Sequence, residues 1–266
     1  MLRVENIVKI FNRDTVNEKT ALDSVTLSLN EGDFVTVIGG NGAGKSTLLN
    51  IVAGVYPSDS GEIYVDGRNI TKLVEHQRAA YMGRVFQDPM MGTAADLSIE
   101  ENLALAMRRG QRRTLRWGVN SAERQTFRDM LSTLELGLES RMSTKVGLLS
   151  GGQRQALTLL MAILKTPRLL LLDEHTAALD PKTARKVLEL TDRFIAERNL
   201  TTMMVTHNMR DAIQHGNRLV MMSAGQIVVD VKGEEKRRLT VEDLMVEFER
   251  ASGGEAIASD RMLLGN

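Results

Sequence analysis

The chain has 266 residues, long for one compact domain and short for two full ones, so a core domain carrying an insertion is expected. Lys plus Arg (34) equals Asp plus Glu (34), which removes the electrostatic basis for general nucleic-acid binding. With no cysteine, disulfides and thiolate metal sites are excluded, and a reducing cytosol fits. No apolar run approaches the roughly 18–20 residues of a membrane span, and the N-terminus carries no signal-peptide pattern, so the chain is expected to be soluble by itself. Aromatic residues are few (4%) and Met is frequent (15), which points to a core of helices and aliphatic strands.

Residues 2–10 alternate as a strand and end at Phe11. A polar, turn-like stretch precedes a second strand over 21–29, with Leu22, Val25, Leu27 and Leu29 at its apolar positions. Glu31-Gly32-Asp33 turns into the apolar run Phe34-Val35-Thr36-Val37-Ile38, which reads as a buried strand. Next comes Gly39-Gly40-Asn41-Gly42-Ala43-Gly44-Lys45-Ser46-Thr47, which satisfies G-x-x-x-x-G-K-[ST] at every fixed position. A helical pattern over 47–53 follows and stops at Gly54, so strand, loop and helix stand in the order that motif needs.

Glycines there let backbone N–H groups turn inward around an anion, and the helix N-terminus adds partial positive charge. Lys45 is placed to reach the β- and γ-phosphates, and the Ser46 hydroxyl to ligate Mg²⁺. A dinucleotide loop is excluded, because G-x-G-x-x-G begun at Gly40 would need glycine where Lys45 stands. This is a nucleoside triphosphate site.

Beyond a loop at Pro57-Ser58-Asp59-Ser60-Gly61, a short strand over 62–67 closes on an Asp66-Gly67 turn, giving an antiparallel layer beside the nucleotide strand. From about Pro89 to Lys165 the pattern becomes helical. Ser98 and Glu101 form a capping box at one helix start, and residues 122–136 support another helix. Between them, five arginines fall within residues 108–116 and read as a solvated face, with anionic lipid headgroups or a membrane partner as the sharper alternative.

Leu149-Ser150-Gly151-Gly152-Gln153 then opens a third helix, with Ser150 as its cap and Gln153 at the reciprocal position. Its two glycines make it a second helix N-terminus suited to phosphate. If two chains pair head to tail, each ATP is held by the loop of one chain and the Ser150 helix end of the other.

Short apolar strands at 169–172 and 202–206, alternating with helices, indicate a parallel sheet buried on both faces. Asp173 and Glu174 end the first of them. Asp173 is placed to hold the Mg²⁺ shell, and Glu174 to act as general base on a water facing the γ-phosphate. Asp180-Pro181 starts the intervening helix, 218–222 and 226–230 form a hairpin, and 241–250 form a last amphipathic helix. The tail from Ser252 is expected to be loosely held.

Phosphate loop, Leu-Ser-Gly-Gly-Gln and Leu-Leu-Leu-Leu-Asp-Glu, in this order, resemble the ATP-binding cassette (ABC) ATPases over about residues 2–230. The resemblance implies an α/β P-loop NTPase core of the RecA-like type, with an antiparallel β layer and an inserted helical subdomain. It implies a core over 1–88 and 166–230, a helical signature subdomain over 89–165, and a C-terminal helix and tail over 231–266. Phe11 matches the aromatic that stacks on adenine. Gln87, in Val85-Phe86-Gln87-Asp88-Pro89, matches the glutamine that touches Mg²⁺ and the attacking water. Asp180 matches the loop that speaks across the dimer, and His207 the switch histidine at the γ-phosphate.

His76 and His215 match nothing and read as surface. The family usually has proline after the catalytic glutamate, where this chain has His175; that departure reads as a tolerated variation, with a pH-sensing role as the alternative.

The function implied is the ATPase subunit of an ABC transporter, with ATP and Mg²⁺ as cofactors. Its implied partners are a second copy of itself, separate transmembrane permease subunits and, indirectly, a solute-binding protein, at the cytoplasmic face of the membrane. The segment around Gln87 and the arginine run look closest to binding-protein-dependent uptake cassettes for amino acids, aromatic ones included. A soluble, non-transport ABC ATPase is the alternative. It is disfavoured because translation ABC proteins usually carry two cassettes and repair proteins a long coiled-coil insertion. A GTPase would need an Asn-Lys-x-Asp motif, which the sequence lacks.

Overall fold

A computed structural model describes residues 1–111 and 118–251. Its strands, in chain order, are β1 (Leu2–Phe11), β2 (Lys19–Leu29), β3 (Phe34–Gly39), β4 (Ser60–Val65), β5 (Arg68–Asn69), β6 (Met82–Val85), β7 (Leu169–Asp173), β8 (Thr201–Val205), β9 (Arg218–Ser223) and β10 (Gln226–Lys232). Its α-helices are α1 (Lys45–Ala53), α2 (Glu75–Arg78), α3 (Ile99–Met107), α4 (Ser121–Ser132), α5 (Gly151–Ile163), α6 (Pro181–Arg198), α7 (Met209–Gln214), α8 (Glu234–Arg238) and α9 (Val241–Ala251). Packing divides the chain into two compact units, Met1–Arg78 with the residues from Asn199 onward, and Ala79–Arg198. Among the described residues no helix is long and apolar enough to cross a membrane.

In the first unit, β2, β1, β4 and β5 form an antiparallel sheet in that order. Burial alternates along β1 and β2, as expected of a sheet with one face on the core and one in water. β4 and β5 join through Asp66 (φ 50) and Gly67 (φ 75), whose paired positive φ angles match the twist of a tight hairpin. A second set of strands runs β10, β9, β3, β8, with β3 parallel to both β8 and β9. β3 and β8 are buried along their whole length, which is why their sequences carry no charged residue and do not alternate, the only polar side chains being the buried Thr36, Thr201 and Thr202. α7 and α9 cover one side of this sheet through Met209, Ala212, Leu244 and Phe248, packed on Ile38, Leu219, Met221 and Val231.

In the second unit β6 and β7 pair in parallel, Met82 against Leu169 through Val85 against Leu172, and all four leucines of β7 are fully buried. Each contributes about 1.5–3 kcal/mol of burial free energy. Around them lie α3, α4, α5 and α6, with Leu103, Phe127, Leu131, Leu157 and Leu160 in the core. Three of the helices here begin in reciprocal capping boxes: Ser98 with Glu101, Asn120 with Glu123, and Ser150 with Gln153.

The helix expected over 122–136 is shorter, Ser121–Ser132, because Glu135 (φ 55) and Gly137 (φ 69) adopt left-handed conformations no helix continues through. The arginine run falls partly outside the described residues, at 112–117, as does the tail from Ser252. Its first two members are not merely solvated. Arg108 donates to Ala104 O and Gly118 O and pairs with Glu123. Arg109 donates to Ala162 O and Lys165 O at the end of α5, and burial lowers its pKa. His76 is exposed as expected, whereas His215 is half-buried, and its carbonyl accepts from the buried Lys236 ammonium.

Candidate functional site

The first unit carries the glycine loop between β3 and α1. Gly44 caps α1 with φ 101, and a Cβ there would lie 2.6 Å from Ala21 O and 2.8 Å from Leu22 Cδ2, so only glycine lets the loop settle on β2. Lys45 is only 7% exposed, and its ammonium donates to Gly39 O (2.8 Å) and Gly40 O (3.0 Å). Its charge is therefore held inside the turn. Asn41, Gly42 and Ser46 are exposed, Thr47 is half-buried, and Ala43 is buried beneath them. A concave, glycine-lined turn at a helix N-terminus, with a lysine folded into it, fits a polyphosphate.

Two further groups of this unit reach the loop. Lys19 pairs with Phe11 across β1 and β2, and its ammonium lies 3.1 Å from where a Cβ on Gly42 would stand. Strand register thus brings Phe11 to the loop's neighbourhood. The Phe11 ring is half-buried and meets the Tyr56 ring edge-on, centroids 5.5 Å apart at 84°.

His207 follows Thr206, whose N–H donates to Val37 O (3.1 Å). The parallel pairing of β3 and β8 sets this half-buried histidine at the carboxyl edge from which the loop leaves β3. Asn208 caps α7 by accepting from Arg210 N and Asp211 N. Asp211 faces His207 and His215; burial pushes its carboxyl above the ordinary range despite both histidines.

In the second unit, Asp173 ends β7 half-buried, and its carboxylate pairs with Arg84 of β6 (Nη2 to Oδ2, 3.2 Å). Glu174 is half-buried with φ 42, a left-handed conformation for a residue with a side chain. His175 is 2% exposed, and its Nε2 lies 3.2 Å from Thr191 Oγ1 on α6. Gln87 is exposed, and the carbonyl preceding it, Phe86 O, accepts from the fully buried Gln155 Nε2 of α5 (3.1 Å).

At the start of α5, Ser150 Oγ accepts from Gln153 N (3.3 Å) and Gln153 Oε1 accepts from Ser150 N (3.2 Å). Gly151 and Gly152 lie in the first turn, where N–H groups have no intrahelical acceptor. A Cβ on Gly152 would stand 2.1 Å from Thr183 Cγ2, so the two helices meet there because that residue has no side chain. Thr183 N in turn donates to exposed Asp180 (3.1 Å). Hydrogen bonds from the Thr183 side chain and then its backbone hold that carboxyl below the usual range.

Phe11, the loop and His207 therefore share the first unit, while Gln87, Ser150–Gln153, Asp173, Glu174 and Asp180 share the second. Among the described residues no cluster of three or more His, Cys, Asp or Glu forms a metal cage. The donors expected for Mg²⁺, a hydroxyl, an amide and one carboxylate, suit an ion that keeps water and phosphate oxygens in its shell. Sequence reasoning passed over Lys19, Tyr56, Arg84 and Gln155. Gln155 had a readable signal, a polar residue on the buried face of a helical pattern; the others act through partners 45 to 89 residues away or through register.

The family model described as ABC transporter matches residues 22–177. The chain is 45% identical over 255 residues to a tyrosine transport ATP-binding protein of Clostridioides difficile (strain R20291), covering 94% of this chain and all of that one. It is 36% identical over 232 residues to the methionine import ATP-binding protein MetN of Corynebacterium diphtheriae, covering 85% of this chain and 64% of that one. Among solved structures it resembles the dimeric, post-hydrolysis ATP-binding cassette MJ0796 bound to ADP and Pi, at a TM-score of 0.75 and 29% identity, covering 87% of this chain and 98% of that one.

Proposed function

From the premise that the chain belongs to the ABC transporter family and is one of its ATP-hydrolysing subunits, we propose that it drives uptake of an amino-acid-type solute. The observation that carries this reading is the 45% identity to a tyrosine transport ATP-binding protein along that protein's whole length. The likeness to a methionine import subunit supports the amino-acid class. The subunit works at the cytoplasmic face of the membrane, on separate permease subunits fed by a solute-binding protein. It pairs head to tail with a second copy; the pairing itself is supported by the dimeric cassette it resembles.

In this reading residues 1–88 and 166–230 bind and hydrolyse ATP, 89–165 carry the motion to the permease, and 231–266 form a terminal appendage. Phe11 stacks on adenine. The backbone of Gly39, Asn41, Gly42, Ala43 and Gly44, with Lys45 and Thr47, holds the phosphates. Ser150, Gly151, Gly152, Gln153 and Asp180 of the second copy close over the γ-phosphate. Mg²⁺, held by Ser46, Gln87 and Asp173, would neutralise charge on the β- and γ-phosphates. Glu174 takes a proton from water as its oxygen bonds to the γ-phosphorus and the bond to the β–γ bridging oxygen breaks, leaving ADP and phosphate. His207 donates to the γ-phosphate and Gln87 orients the water.

Replacing Glu174 by Gln removes the base and leaves the phosphate ligands in place. Turnover should fall at least about a hundredfold while ATP affinity is kept. Steady-state phosphate release alongside nucleotide titration measures both, and undiminished hydrolysis would remove Glu174 from the mechanism.

A further inference from the structure

His175 is a polar side chain inside the second unit, 2% exposed, directly after Glu174. Its Nε2 lies 3.2 Å from Thr191 Oγ1, itself fully buried on α6. Thr191 Oγ1 also donates to Val187 O at 2.8 Å, the turn before it in the same helix. A hydroxyl has one proton. Since that proton is directed at Val187 O, the oxygen accepts from His175, and Nε2 carries the hydrogen.

The residue this bond flanks is held in an unfavourable conformation. Glu174 has φ 42, and such backbone persists in a side-chain-bearing residue only where its surroundings over-determine it. Upstream, Leu172 is locked in register against Val85, and the Asp173 carboxylate is paired with Arg84. Downstream, the first side chain tied into the body of the unit is His175. The helix it is tied to begins at Pro181, immediately after Asp180.

We infer that His175 is a positioning residue. Its hydrogen bond to Thr191 pins the downstream side of Glu174, fixing where that carboxylate leaves the backbone and coupling it to α6. The inference rests on the reading of Glu174 as general base. It gives a buried histidine, where a plain apolar residue would fill the space, a part in hydrolysis.

The test compares the full-length wild type with His175→Ala, His175→Gln, Thr191→Val, the Ala/Val double variant and Glu174→Gln. kcat and KM for ATP are measured per nucleotide-binding site, counted by titration with a fluorescent ATP analogue. His175→Ala should lower kcat about 10–100-fold, the cost of a misplaced base, with KM within about threefold. Thr191→Val, close in shape and lacking only the hydroxyl, should do the same. The double variant should be no worse than either single one, because both remove one bond. His175→Gln can return an N–H donor to Thr191 and should recover most of kcat.

Full kcat per site in both His175→Ala and Thr191→Val, with only the melting temperature lowered, would reduce His175 to a packing residue and overturn the proposal. Should His175→Ala fail to fold, Thr191→Val and His175→Gln decide it alone. The underlying reading fails separately: Glu174→Gln that still turns over refutes the base, whereas Glu174→Gln inactive with His175→Ala fully active refutes only the positioning.

Discussion

Asp211 stands in the first turn of α7, half-buried, with the His207 and His215 side chains near its carboxyl. Burial raises its pKa above the ordinary 3.8, and the histidines offset only part of that rise. A carboxyl whose folded pKa exceeds its unfolded one favours the native state while protonated, at pH below the unfolded value. That contribution is lost as pH rises through the folded pKa. Asp211→Asn, which stays neutral, should therefore raise the melting temperature at pH 7, and its advantage should vanish near pH 3. Melting curves across that range check it; a difference constant with pH would mean that packing, not charge, decides.

The contrast with residues visible in the sequence is one of distance along the chain. Gly39 to Thr47 and Ser150 to Gln153 advertise their chemistry within a few positions, because a phosphate cradle and a helix cap are local backbone devices. Arg84 beside Asp173 and Thr191 beside His175 depend on strands and helices meeting, and no spacing rule encodes that.

At the scale of elements, α1 shows how the phosphate loop is braced from behind. Its carboxyl end stops at Gly54 (φ 84), and the last carbonyls are taken up by a side chain from α2. Arg78, 2% exposed, donates through Nη1 to Ile51 O (2.7 Å) and Val52 O (2.9 Å), through Nε to Leu73 O (2.7 Å) and through Nη2 to Thr71 O (2.8 Å). Burial lowers its pKa to about 10, so it stays charged at neutral pH, where the negative end of the helix dipole favours it.

Arg78→Ala should cost about 2–4 kcal/mol, because it leaves carbonyls buried without donors and opens a void. Arg78→Lys should recover only part, since one ammonium cannot span four acceptors in the guanidinium's plane. Urea melts at pH 7 measure both, and a loss below about 0.5 kcal/mol for Ala would count against the brace. From sequence, α1 itself was plain, as were β3, β7 and β8, whose short runs of apolar and threonine residues, uncharged but for Asp173 at the end of β7, follow from burial on both faces. β6 was not, because Gly83 and Arg84 interrupt its four residues; nor were the short helices α2, α7 and α8, too brief for a 3.6-residue period to register.

For the whole molecule, the two helix N-termini suited to phosphate lie in different compact units, Lys45 opening one and Gly151 the other. Pairing two copies head to tail would give each ATP both kinds of helix end. Equal numbers of acidic and basic residues mean that no net charge opposes such pairing, so short-range contacts and the nucleotide decide it. In that arrangement the γ-phosphate would be the bridge, and hydrolysis would remove it. The nucleotide-free chain should therefore sediment as a monomer, and Glu174→Gln with saturating ATP as a dimer that persists because the bridge is not cleaved. Adding Ser150→Arg replaces the capping hydroxyl with bulk and disrupts its reciprocal bond with Gln153, so that sample should return to monomer. Its ATP affinity should hold, because the phosphate loop of the first unit is untouched. A Glu174→Gln chain that remains monomeric with ATP would assign the pairing energy to the permease or dissolve the shared site. A dimer that survives Ser150→Arg would place the contact elsewhere on the surface.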